Sequence, residues 1–209
     1  MSNVIKIGTD DNTKNLKLAA NVIKNGGIVI FPTETVYGIG TNGLDSEAVK
    51  KLYEVKNRSL TKPISLLVSN FDMINQVAKD ITEMEYKIMK NFFPGPLTII
   101  LNKKSCVPDI LTANGNTVGI RMPDNEIALK LIELSEVPIA TPSANISGKP
   151  SGTNIEDIKE DFEGKVDLFI DNGKSKIGNG STIVKVENNE IKILRQGIIT
   201  KEQIEAICK

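Results

Sequence analysis

Short apolar runs rich in β-branched residues alternate with amphipathic helical patterns along nearly all of this 209-residue sequence. Period-2 or continuous apolar stretches predict strands at 4–7, 28–31, 64–68, 97–101, 118–121, 138–140 and 168–170. Apolar residues spaced three or four apart predict helices at 13–25, 46–57, 82–92, 125–134, 155–162 and 200–207. Leu16, Ala19, Ala20 and Ile23 share one face of the first helix, which Gly26-Gly27 closes. Thr82-x-x-Glu85 and Thr200-x-x-Gln203 read as capping boxes. Strands 182–186 and 191–194, joined by Glu187-Asn188-Asn189-Glu190, read as a hairpin. Such alternation predicts an α/β fold, a mixed and largely parallel sheet flanked by helices. With no repeat, low-complexity tract or linker, residues 1–209 read as one domain.

Composition removes whole classes of chemistry. There is no histidine, so Ser-His-Asp triads and His-ligated metals are excluded. Two cysteines, Cys106 and Cys208, cannot supply a four-thiolate metal site and do not suggest an oxidised scaffold. Acidic and basic residues balance at 26 each, which argues against a protein held on nucleic acid by bulk charge. No targeting segment or spanning apolar stretch is evident, so a soluble cytoplasmic protein is expected. Only three of the basic residues are arginines: Arg58, Arg121 and Arg195. In so lysine-rich a chain they either mark where a planar, bidentate cation is needed or remain by chance on the surface.

Two phosphate-loop lookalikes fail on context. Gly38-Ile39-Gly40-Thr41-Asn42-Gly43 fits GxGxxG, yet six residues separate it from the preceding strand. Gly173-Lys174-Ser175 lacks the first glycine of a P-loop, since Leu168 stands there. The stronger signal is polar segments directly after strands: Pro32-Thr33-Glu34-Thr35, Arg121-Met122-Pro123-Asp124, Thr141-Pro142-Ser143-Ala144-Asn145 and Arg195-Gln196-Gly197. Gathered at the carboxyl edge of a sheet, these hydroxyls and guanidinium forks would form an anion-binding cleft.

Those segments, FPTETVYGIG (31–40), KNRSLTKP (56–63), FFPGPLT (92–98), VGIRMPD (118–124), PIATPSANISGKPS (138–151), STIV (181–184) and ILRQG (193–197), resemble the YrdC-like family of L-threonylcarbamoyladenylate synthases. The resemblance implies a twisted α/β sheet around a deep positive cavity. It implies formation of threonylcarbamoyl-AMP and pyrophosphate from L-threonine, bicarbonate or CO2 and ATP, with Mg²⁺ carried mainly on the ATP phosphates and no protein metal ligands. A downstream transferase would then pass the threonylcarbamoyl group to tRNA. Carried over by position, the threonine site falls on Thr35, Arg121, Thr141 and Ser181. The ATP site falls on Arg58, Lys62, Thr117, Ser143, Ser151 and Arg195. Lys56 and Asn145 complete the Lys-x-Arg and Ser-x-Asn pairs, making Lys56, Arg58, Ser143 and Asn145 the implied catalytic group. Leu67 and Asn125 stand where some relatives carry histidine.

Histidine is not needed for this chemistry. A free amine adds CO2, and the carbamate must then meet a triphosphate, so positioning and charge neutralisation are the main tasks. Lys56, Arg58 and Arg195 are the candidates for that clamp. Glu34 reads equally as a base or as a turn-supporting carboxylate. An RNA-binding module without catalysis is a second reading. Zero net charge, nine aromatics and no Trp leave it room for weak RNA binding only. A carbamoyl-adenylate-forming module is a third, but its usual multidomain, zinc-finger setting needs more length and cysteines than this chain has.

Overall fold

A computed structural model describes residues 3–6 and 12–208. The elements run β1 (Asn3–Lys6), α1 (Asn12–Lys24), β2 (Val29–Phe31), β3 (Gly38–Asn42), α2 (Ser46–Val55), β4 (Leu66–Leu67), α3 (Phe71–Val77), β5 (Ala78–Lys79), α4 (Glu83–Phe92) and β6 (Leu97–Lys103). After a 3-10 turn at Asp109–Thr112 come β7 (Thr117–Arg121), α5 (Glu126–Ser135), β8 (Ile139–Ala140), α6 (Lys159–Phe162), β9 (Leu168–Asp171), β10 (Thr182–Glu187), β11 (Glu190–Arg195) and α7 (Lys201–Cys208). The first strand covers the expected 4–6, and Ile7, the last residue of the 4–7 expected, lies outside the described residues.

The strands join in the order β1-β9-β2-β3-β8-β4-β7-β6-β10-β11, with β5 paired to β6. The sheet is mixed: four ladders are parallel and six antiparallel. Helices cover it with the faces the sequence marks. Leu16, Ala19, Ala20 and Ile23 of α1 are buried, and Gly26, with φ near 78°, ends the helix by donating its N–H to the Ile23 carbonyl. Burying one such Leu or Ile side chain contributes about 1.5–3 kcal/mol. Asp45 and Asn125 cap α2 and α5, and both halves of the Thr82/Glu85 box are present on α4. Among the described residues no helix is long and apolar enough to cross a membrane.

Four features depart from the sequence pattern. The GxGxxG stretch is itself a strand, β3. Added to Gly38 or Gly40, a Cβ would lie 2.6 Å from Thr141 Cγ2 or Ile139 Cγ2, so these glycines admit the chain around β8 rather than a phosphate. The second departure is α3, too short to show a period, and the third is β5, the two-residue strand that follows it. Last, the helix expected at 155–162 shrinks to α6. There the Asp157 carboxylate accepts from the Thr153 and Asn154 N–H groups, and Asn154 Oδ1 accepts from the Asp157 N–H. These local bonds displace the first helical turns.

Candidate functional site

An open cavity of about 720 Å³ spreads over one face of the central strands. Its floor follows from pairing register and pleat. Leu67 pairs with Arg121 across β4 and β7, and Ile183 pairs with Thr98 across β10 and β6. All four line the cavity, as does Ser65, two residues before Leu67 and so on the same face. Gly119 is part of this floor: a Cβ there would lie 2.6 Å from Ser65 Oγ and 3.2 Å from Thr98 Cγ2. The site is therefore a sheet face roofed by loops, not the common carboxyl edge expected from the sequence. β8 runs antiparallel to β4, and β6 to β7, so the strand ends do not point one way.

Three loops supply the walls. The 32–35 turn is sealed within the protein: Thr35 is fully buried, and Thr33 Oγ1 donates to the Val36 carbonyl and contacts Thr35 Oγ1 at 2.9 Å. Arg121, 8% exposed, ends β7 with Nη2 2.7 Å from Glu34 Oε2. Glu34 is thus the partner of Arg121, the turn-supporting role, and it is not among the cavity-lining residues. The 141–145 loop carries Thr141 and Ser143 into the cavity, with Thr141 N–H donating to the Ser65 carbonyl and Ser143 Oγ to Asn145 Oδ1. Asn145 Nδ2 in turn donates to the Lys149 carbonyl. The third loop, 172–181, is tied to the first by N–H donation from Ile177 to the Glu34 carbonyl and from Gly178 to the Thr35 carbonyl. Tyr37 Oη fastens its start, donating to the Gly173 carbonyl and accepting from the Asn172 N–H. Burial, helped by Asp171, pushes this phenol up to about 12.

Arg195 crosses from the end of β11 to donate through Nε and Nη2 to the Ser181 carbonyl and through Nη2 to Ser181 Oγ, which also contacts Thr98 Oγ1 at 2.7 Å. Burial first, then the charge of Arg121, holds Arg195 below the usual arginine range, so the two guanidiniums share one field. Arg58 is aimed by its bonds to the Lys62 and Pro63 carbonyls. Among the described residues the cavity lining holds Arg58, Arg121, Lys176 and Arg195 but no carboxylate.

Of the residues the sequence put forward, Thr35, Arg58, Arg121, Thr141, Ser143, Ser151, Ser181 and Arg195 line this one cavity. Four do not. Lys56 is 1% exposed, and its ammonium donates to the Ser143 and Asn145 carbonyls. It holds the loop instead of lying on phosphate charge, and burial, then Arg58, lowers its pKa to about 7. Asn145 is likewise spent inside its loop. Lys62 is exposed and contributes its carbonyl to Arg58 and Tyr53. Thr117 opens β7, four residues and about 13 Å of strand from Arg121. Sequence reasoning missed Ser65, Lys176 and Asn179, and met Thr98 and Gln196 only within longer segments, without giving them a role. The strand period could have placed Ser65 with Leu67, but nothing in the sequence singled out the loop residues. Among the described residues, no group of three or more His, Cys, Asp or Glu side chains is placed to hold a metal.

The family model Sua5_yciO_yrdC, described as "Telomere recombination", matches residues 21–197. The chain belongs to this family. It is 46% identical over 192 residues to the threonylcarbamoyl-AMP synthase of Pyrococcus abyssi, covering 92% of this chain and 56% of that protein. A putative threonylcarbamoyl-AMP synthase of Methanocaldococcus jannaschii is 41% identical over 201 residues, covering 96% of this chain and 94% of that one. The crystal structure of P. abyssi Sua5 complexed with L-threonine superposes with a TM-score of 0.94 at 44% identity, covering 99% of this chain and 61% of that one. The chain thus spans little more than half the length of its Pyrococcus relative.

Proposed function

We propose that the protein forms L-threonylcarbamoyl-AMP and pyrophosphate from L-threonine, bicarbonate or CO2 and ATP, feeding threonylcarbamoyladenosine synthesis on tRNA. The observation that carries this reading is a depth gradient within one cavity. Thr35, Arg121 and Ser181 are buried at its floor, whereas Arg195, Lys176 and Ser151 are exposed at its rim. The floor suits one small carboxylate-bearing substrate; the rim suits a polyanion. A volume of about 720 Å³ lies in the range of sites for nucleotide-sized ligands. The relatives named for this activity, and the one crystallised with L-threonine, support the same assignment.

The residues then divide the work. Arg121, steadied by Glu34, takes the threonine carboxylate, with the hydroxyls of Thr35, Thr141 and Ser181 around the substrate. Leu67 and Ile183 give the methyl group an apolar wall. The amine adds CO2, losing one proton, to give a carbamate. A carbamate oxygen then attacks the α-phosphorus, the bond to the bridging oxygen breaks, and pyrophosphate leaves. Arg58 and Arg195 neutralise charge at the reacting phosphoryl group, while Ser143 and Ser151 hold phosphate oxygens. Magnesium would come with ATP, held by phosphate oxygens and water, which fits a lining without carboxylates. The test is mass spectrometry of the quenched reaction. Adduct and pyrophosphate should appear only when threonine, bicarbonate, ATP and Mg²⁺ are all present. Release of phosphate, or product without threonine, overturns the proposal.

A further inference from the structure

Loop 172–181 does more than roof the cavity. It is fixed on both sides of Lys176: Ser175 N–H donates to the Thr153 carbonyl and Ile177 N–H to the Glu34 carbonyl. The backbone at Lys176 is therefore set, and its side chain lies in the cavity wall. The other three cations there each hold a protein partner. Arg121 pairs with Glu34, Arg58 donates to two carbonyls, and Arg195 donates to Ser181. Among the described residues Lys176 has neither an ion pair nor a hydrogen bond, and no carboxylate in the lining to supply one. Lys56 cannot take its place, being held on the Ser143 and Asn145 carbonyls. Among the described residues Lys176 is thus the one lysine in the lining, and it is exposed.

We propose that Lys176 is a further substrate-binding residue whose ammonium holds the β- and γ-phosphates of ATP and the pyrophosphate they become. This rests on the nucleotide reading above. A freely rotating ammonium suits that place better than a guanidinium would, because it can follow the pyrophosphate as it separates from the α-phosphorus.

The test is calorimetric titration of magnesium–ATP, AMP and inorganic pyrophosphate against the wild type, Lys176→Ala, Lys176→Arg and a control, Lys174→Ala. Lys174 is on the same loop but outside the cavity lining. Lys176→Ala should weaken ATP and pyrophosphate about tenfold, the loss of one charge-assisted bond, and leave AMP unchanged. Lys176→Arg should retain most of the affinity, and Lys174→Ala all of it. ATP and pyrophosphate affinities unchanged in Lys176→Ala, or an equal loss for AMP, overturn this assignment while the nucleotide site stands. A wild-type protein that binds neither ATP nor pyrophosphate overturns the nucleotide reading and the assignment together.

Discussion

Arg121 and Lys56 are both buried cations, yet their surroundings give them opposite duties. Arg121 faces one carboxylate and the cavity, so its guanidinium fork can be offered to a ligand. Arg121→Lys should lose most threonine affinity while ATP binding persists, because an ammonium cannot make the bidentate fork. Calorimetric titration of both ligands checks this. Lys56 faces backbone carbonyls, and burial together with Arg58 disfavours its charge. Its pKa is lowered to about 7 in the folded protein, against 10.5 for an ordinary lysine. Between those values the unfolded chain holds a proton that the folded one lacks, so this group makes stability rise with pH above about 7. Below 7 its cost is carried in full. Lys56→Met should remove that rise, as read from urea midpoints between about pH 6.5 and pH 9.5. It should also loosen the 141–145 loop. The Lys-x-Arg spacing brought out Lys56 and the strand-end position brought out Arg121, but only burial separates an anchor from a ligand-facing charge, and burial is set by strands distant in sequence.

At the level of elements, the periodic signals were legible because their causes are local. Capping boxes, the apolar stripe of α1 and the 187–190 turn need only neighbouring residues. In the turn, Asn188 and Asn189 both hold positive φ, near 53° and 60°, as a two-residue hairpin of this twist requires. Asn189→Val should cost about 1–2 kcal/mol of stability by urea denaturation, the penalty for a β-branched residue in the left-handed region. Strand β3 was illegible because its glycines look like a loop, and the reason for them lies about a hundred residues away in β8. Gly38→Ala tests that reason: its Cβ would meet Thr141 Cγ2 at 2.6 Å. The clash is with a side-chain end, so Thr141 should turn aside and the fold should survive. Steady-state kinetics should show a raised KM for threonine with the KM for ATP little changed.

At the scale of the whole molecule, charge is balanced in sum and unbalanced in place. The chain has 26 residues of each sign, yet among the described residues the cavity is lined by four cations and no carboxylate. The residues responsible come from four separate stretches, gathered because β4, β7, β6, β10 and β11 lie side by side. Composition hides such a field. The rule that ligands gather at carboxyl strand ends found the right segments but the wrong face, since it assumes strands running one way. A measurable consequence follows from the imbalance. With the cavity empty, the like charges of Arg121 and Arg195 oppose each other across it, which costs stability. Added sodium chloride should screen that repulsion and raise the melting temperature of the ligand-free protein. ATP should raise it further, and at a hundredfold excess over its Kd the gain should be about 2.7 kcal/mol. The two effects draw on the same charges, so the ATP-induced shift should shrink as salt rises. Differential scanning fluorimetry across a salt series, with and without magnesium–ATP, separates this from a general salt effect: equal ATP shifts at every salt concentration would mean that the nucleotide is held by contacts other than these cations.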